Sequence, residues 1–154
     1  MKTKGNQHAE KEEATSPLLD DCQICEVVRR NYPNTQAVYL FGSHAAGEAW
    51  PGSDVDLALL LPFPQAKREG LLAMSDCAAE LSQAVHAEVD LVNLREVPTI
   101  LQTEIIHKGR KLGVGDALAT ERFEVQVLKN FQKLSEERAE IIAQGLQTGR
   151  FYQP

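Results

Sequence analysis

No apolar run in this 154-residue chain approaches the roughly 20 residues that a membrane-spanning helix needs. Basic residues are in deficit as well: 22 Asp and Glu stand against 16 Lys and Arg, for a formal charge of −6. A protein that grips a long nucleic acid draws much of its affinity from neutralising phosphates, so such a polymer is not the expected partner. A mononucleotide that brings its own metal ions is compatible with acidic surroundings. Cysteine is sparse, with only Cys22, Cys25 and Cys77, which fits a reducing compartment better than a disulfide framework. Met1 to Ser16 contains no apolar segment of the signal-peptide kind. The expected location is therefore the cytoplasm.

The composition that is present belongs to a globular chain, 43% hydrophobic and 25% charged, with length enough for one domain and a real core. Residues 1–16 read as a mobile, disordered tail and residues 17–154 as a single domain. A first helix is expected over about Leu19 to Asn31, with Ile24, Val27 and Val28 on one face. Tyr32-Pro33-Asn34 breaks it, and Ala37 to Phe41 follows as a buried strand ending at Gly42. A polar loop covers Ser43 to Ser53, and Asp54 to Leu61 is the second strand, stopped by Pro62 and Pro64.

Leu71, Met74, Ala78, Leu81 and Val85 recur at spacings of three and four, which predicts one helix from about Ala66 to His86. Glu88 to Leu94 is the third strand. Pro98 suits the first turn of a helix carrying Ile100, Leu101, Ile105 and Ile106 and stopping near Gly109. Lys111 to Val114 is a short edge strand. The last helix, about 120–147, carries Val127, Phe131, Leu134 and Ile141 at near-heptad spacing, interrupted by Arg138. The simplest reading packs this stripe against the chain's own sheet, with a partner or dimer contact as the alternative. The loop between the first two strands is too short for a crossover helix, so they are expected as antiparallel neighbours. The fold class is α/β (α+β), a small mixed sheet flanked by helices, and there is no internal repeat.

Chemistry concentrates in Gly42-Ser43, ten intervening residues, then Asp54-Val55-Asp56. Residues two apart on a strand share a face, so Asp54 and Asp56 aim their carboxylates to one side of an otherwise apolar strand. Two such charges are costly unless something positive sits between them. Mg²⁺ supplies that charge and takes a few carboxylates plus substrate phosphates. Gly42 lets the backbone turn and come close to a phosphate. Ser43 offers a hydroxyl and an N–H to phosphate oxygens. Asp90, between Val89 and Leu91, completes a two-metal site in which an attacking hydroxyl is activated and a departing pyrophosphate stabilised. Asp54 and Asp56 are assigned to both ions and the triphosphate, and Asp90 to the catalytic ion and the acceptor's proton.

Other polar residues read more plainly. His44 is a loop histidine facing solvent, with a nucleotide contact as the alternative, while His8, His86 and His107 lack metal-ligand spacing. Cys22 and Cys25 form a C-x-x-C pair on a helix without the second pair that a zinc site needs. Trp50 either covers the substrate or packs the loop down.

The pattern Gly-Ser-x10-Asp-x-Asp, with a later acid in Glu88-Val89-Asp90-Leu91-Val92, resembles the signature of the DNA polymerase β-type nucleotidyltransferases. Within them the chain is most similar to the minimal nucleotidyltransferases (MNT), over roughly residues 20–115. Many relatives carry Arg where this chain has Ala46, which puts part of the triphosphate's support in doubt. His44 and the C-terminal Lys and Arg residues are candidates to replace it. The resemblance implies ATP as substrate, two Mg²⁺ ions, and a role as antitoxin. Such an antitoxin transfers AMP to a tyrosine of a small helical HEPN-type ribonuclease toxin and silences it. About forty residues follow the catalytic core, too few for a template-binding domain, and a macromolecular acceptor with its own docking surface would meet that lack. Two alternatives remain at this stage: a small-molecule acceptor of the aminoglycoside type, and a docking-only antitoxin without catalysis.

Overall fold

In a computed structural model of the chain, residues 19–148 are described; the expected tail, residues 1–16, lies outside them. The elements in order are α1 (Asp21–Asn31), β1 (Ala37–Phe41), α2 (Ser43–Ala46), β2 (Val55–Leu60), α3 (Phe63–Glu69) and α4 (Asp76–Val85). Then come β3 (Val89–Asn93), a 3₁₀ turn (Leu94–Glu96), α5 (Thr99–Lys108), β4 (Arg110–Val114) and α6 (Ala117–Thr148). The four strands make one sheet in the order β3-β2-β1-β4. β1 is antiparallel to β2 and to β4, whereas β2 and β3 are parallel, which is the mixed sheet the sequence predicts.

Alternation along the strands divides the core into two layers. Val38, Leu40, Val55, Leu57, Leu59 and Leu91 face α1 and α4. Ala37, Tyr39, Ala58 and Leu60 face the opposite way, onto Ile105 of α5 and Phe123 and Val127 of α6. β2 is central and loses all solvent contact at Leu57, Leu59 and Leu60, each worth about 1.5–3 kcal/mol of hydrophobic stabilisation. α1 begins where the Asp20 carboxylate accepts the Gln23 N–H, and it buries Ile24, Val27 and Val28 as its spacing requires.

One expected helix is two. The chain leaves α3 at Gly70 and starts α4 only after Ser75, whose hydroxyl accepts the Ala78 N–H and donates to the Leu72 carbonyl. In the linker it is Leu72 that turns inward, 2% exposed, while Leu71 and Met74 stand 92% and 96% exposed. The spacing of Leu71 and Met74 matched a helical stripe by coincidence, because a capping serine and a buried neighbour set the local path. Asn93 ties α3 to the sheet: its amide donates 2.9 Å bonds to the Gly70 carbonyl and to the Ala66 carbonyl, which also accepts the Gly70 N–H that closes the helix.

The last helix also departs from expectation. It starts three residues earlier, at Ala117, where the Asp116 carboxylate accepts the Ala119 N–H. Phe123 and Val127 seat it on the sheet, but Phe131, Leu134 and Ile141 are 36%, 44% and 62% exposed. Its 32 residues span about 48 Å, and its second half leaves the sheet that the apolar stripe was expected to cover. Among the described residues no helix is long and apolar enough to cross a membrane.

Candidate active site

The expected site residues come from three adjacent element ends. β1 closes at Phe41, which stands opposite Asp56 in the antiparallel register. On the other side of β2, Asp56 stands opposite Asp90 in the parallel register. Both acids therefore project from the α5/α6 face of the sheet, at the margin of the layer that holds Ala58 and Leu60. Asp54 lies just before β2, two residues from Asp56; the strand itself begins at Val55, whose N–H is held by the Glu88 carbonyl at 2.9 Å.

Electrostatics mark the same spot. Asp56 is half-buried, while Asp54 and Asp90 are exposed. Burial pushes the Asp56 carboxyl above the usual carboxylate range, the negative charges of Asp90 and Asp54 raise it further, and His44 opposes them. Two like charges bearing on one half-buried carboxyl form a site that is uncomfortable without a cation.

Gly42 is fixed here twice over. Its φ of 73° and ψ of −153° belong to a region that only glycine enters readily. A Cβ at this position would also overlap the Oδ2 of Asp56. The chain then turns directly into α2, which opens with Ser43 and is closed by bonds from the Ala46 N–H to the Gly42 carbonyl and from the Glu48 N–H to the Ser43 carbonyl. The N–H groups of a first helical turn have no partners within the helix, and here that turn lies next to Asp56.

The connecting loop is braced. Trp50-Pro51-Gly52-Ser53 is a tight turn with Pro and Gly in its central positions, Gly52 at φ 87°. The Ser53 N–H donates to the Trp50 carbonyl at 2.8 Å, and the Trp50 N–H donates to the Ser53 hydroxyl at 2.7 Å. The Nε2 of His44 lies 3.3 Å from the Ser53 carbonyl; since that oxygen only accepts, Nε2 carries the proton. His44 thus clasps the loop and faces Asp56, rather than pointing to bulk solvent as expected. Trp50 is 76% exposed, so it does not pack the loop down. Ser53-Asp54 reads in the sequence as turn chemistry ahead of the strand, and Ser53 does close the turn. Ala46, where an Arg is common, is exposed on α2. His86 closes α4, and Cys22 and Cys25 carry free thiols on α1. His8 lies outside the described residues.

Among the described residues no three His, Cys, Asp or Glu side chains converge as a ready-made metal cage. The donor set nevertheless fits Mg²⁺. That ion takes one or two carboxylates and completes its shell with phosphate and water, and Asp56 and Asp90, side by side on one sheet face, are hard oxygen donors of the right kind.

A glycine turn thus leads into a short helix beside carboxylates on two parallel strands. Residues 23–116 match the family described as polymerase beta nucleotidyltransferase, and the chain belongs to that family. It is 34% identical over 124 residues to the protein adenylyltransferase MntA of Shewanella oneidensis, covering 80% of this chain and 86% of the relative. A crystal structure of a toxin–antitoxin with AMP-PNP matches at TM-score 0.64 and 31% identity, over 83% of this chain and 99% of that one. A tri-AMPylated HEPN toxin of Shewanella oneidensis in complex with its MNT antitoxin matches at TM-score 0.57 and 29% identity, over 82% and 95%.

Proposed function

We propose that the chain is a Mg²⁺-dependent protein adenylyltransferase that moves AMP from ATP to a hydroxyl, a tyrosine's, on a HEPN-type ribonuclease, and acts as the antitoxin to that toxin. The observation that carries this reading is the in-register pairing of Asp56 and Asp90 beside a residue 42 that has no room for a side chain. The likeness to MntA and to complexes of antitoxins with HEPN toxins supports the choice of acceptor. ATP and a reducing environment for three free thiols favour the cytoplasm as its place of work.

Each residue has a task. Asp54, Asp56 and Asp90 would hold Mg²⁺ beside the triphosphate. When bound, Mg²⁺ offsets phosphate charge and makes the acceptor hydroxyl more acidic. The Ser43 hydroxyl and the free N–H groups of the first α2 turn donate to phosphate oxygens, which Gly42 allows to approach closely. Asp90 receives the acceptor's proton. The acceptor oxygen bonds to the α-phosphorus, the bond from that phosphorus to the bridging oxygen breaks, and pyrophosphate leaves with the electron pair. The braced Trp50–Ser53 turn keeps Asp54 in place while this happens.

The test is transfer of label from α-labelled ATP to the cognate HEPN ribonuclease that this reading requires, with Mg²⁺, beside an Asp56→Asn control and a chelated control. Label on the ribonuclease with the native chain and in neither control is the expected result. Label that persists in either control would remove the metal assignment, and absence of label in all three would remove the acceptor.

A further inference from the structure

The backbone of Trp50 braces the turn before Asp54, but its indole has no task in the chemistry above. It is the sole tryptophan of the chain, and 76% of it faces solvent on a turn whose backbone is pinned by the two Trp50–Ser53 bonds and the His44 clasp. The two ends of such a turn lie within about 7 Å of each other at Cα, and Asp54 follows the turn directly. The indole is thus mounted on a rigid support at the rim of the carboxylate site. Small ligands are held in concave pockets that bury most of their surface. An indole covered over only a quarter of its area is a projection, the shape that enters a groove on another protein, where tryptophan is among the side chains most enriched in binding energy.

We infer that Trp50 is a specificity residue for the acceptor: it docks into the ribonuclease and aligns the target hydroxyl with Asp90, without touching the nucleotide. This rests on the reading that the acceptor is a protein. Rigid mounting matters because an anchor that is already ordered loses little freedom on binding. No packed neighbour depends on the indole, so replacing it leaves the fold intact.

The test uses the full chain and the cognate HEPN ribonuclease of the proposed function. Trp50→Ala should raise the KM for the ribonuclease about tenfold or more and leave kcat and the KM for Mg·ATP within about twofold, with Trp50→Phe between the two. An unchanged acceptor KM overturns the inference. A raised KM for ATP also overturns it, in favour of a base-stacking platform. Docking is read separately by ¹⁹F resonance of chain carrying 5-fluorotryptophan, which gives one signal. In the native chain that signal should move on adding the ribonuclease without ATP, and stay put with Mg²⁺ and α,β-methylene ATP alone. A moving signal with a native chain that transfers no AMP would sink the transferase reading and leave the docking role standing. A signal that stays still with the ribonuclease would sink the docking role alone.

Discussion

The Oδ2 of Asp56 occupies the space that a Cβ on residue 42 would need. The glycine of the phosphate turn and the first residue of the acid pair are therefore a single steric unit, although they lie fourteen positions apart in the sequence. Gly42→Ala should lower transfer by about 100-fold, the scale expected when reacting groups are displaced by about an ångström. Label transfer to the ribonuclease measures it. An alanine variant with native turnover would show that Asp56 can move away without loss.

Asp56→Asn should remove transfer and stabilise the fold. The native carboxyl is raised by burial and by the charges of Asp90 and Asp54, so its ionisation opposes folding. The sign follows from linkage: a raised folded-state value leaves stability intact below the unfolded value of about 3.9 and erodes it as pH rises through the folded value. At neutral pH the variant should melt higher than the native chain, and the gap should close toward pH 4. Calorimetry across that range checks it, and a variant that melts lower at pH 7 would count against the repulsion.

Asn93→Ala should cost about 1–3 kcal/mol, because the Ala66 and Gly70 carbonyls would lose their buried donor. Turnover per folded molecule should not change, since Asn93, three residues beyond Asp90 on β3, projects from the opposite face of the sheet. Urea unfolding gives the first quantity and label transfer the second. A stability loss below about 0.5 kcal/mol would mean water replaces the amide there.

Along α6 the two halves should respond differently. Phe123→Ala removes a side chain that is 8% exposed and packed under the Arg95 guanidinium, 5.1 Å from its ring centre; it should cost about 3 kcal/mol or more. Leu134→Glu, at a position 44% exposed, should change stability by no more than about 0.5 kcal/mol. Equal losses from both would mean that the distal half packs on the domain after all.

The carboxylates and the phosphate turn were legible because their types and spacing admit few other uses. The antiparallel partnership of β1 and β2 followed from loop length alone. The break at residues 70–75 was not legible by periodicity, because Leu71 and Met74 fall on a helical repeat while the chain obeys Ser75 and Leu72. The stripe on α6 was read correctly as helical and wrongly as sheet-facing, since spacing says which residues share a face and nothing about where the supporting sheet ends. The contact of His44 with Ser53 needed three dimensions, because a clasp between a ring nitrogen and a carbonyl nine residues away leaves no pattern in the chain.

The parallel register of β2 and β3 has one more consequence, for how the molecule comes to exist. Side-chain direction alternates at every residue, so sliding β3 by one position would rotate Asp90 into the layer occupied by Val38, Leu57 and Leu59. It would also lift Val89 or Leu91 out of that layer. A mispaired sheet would have to bury a bare carboxylate, so it would be rejected during folding before it could accumulate as an inactive form. Asp90, half of the in-register acid pair, thereby also acts as a checkpoint on the sheet's assembly.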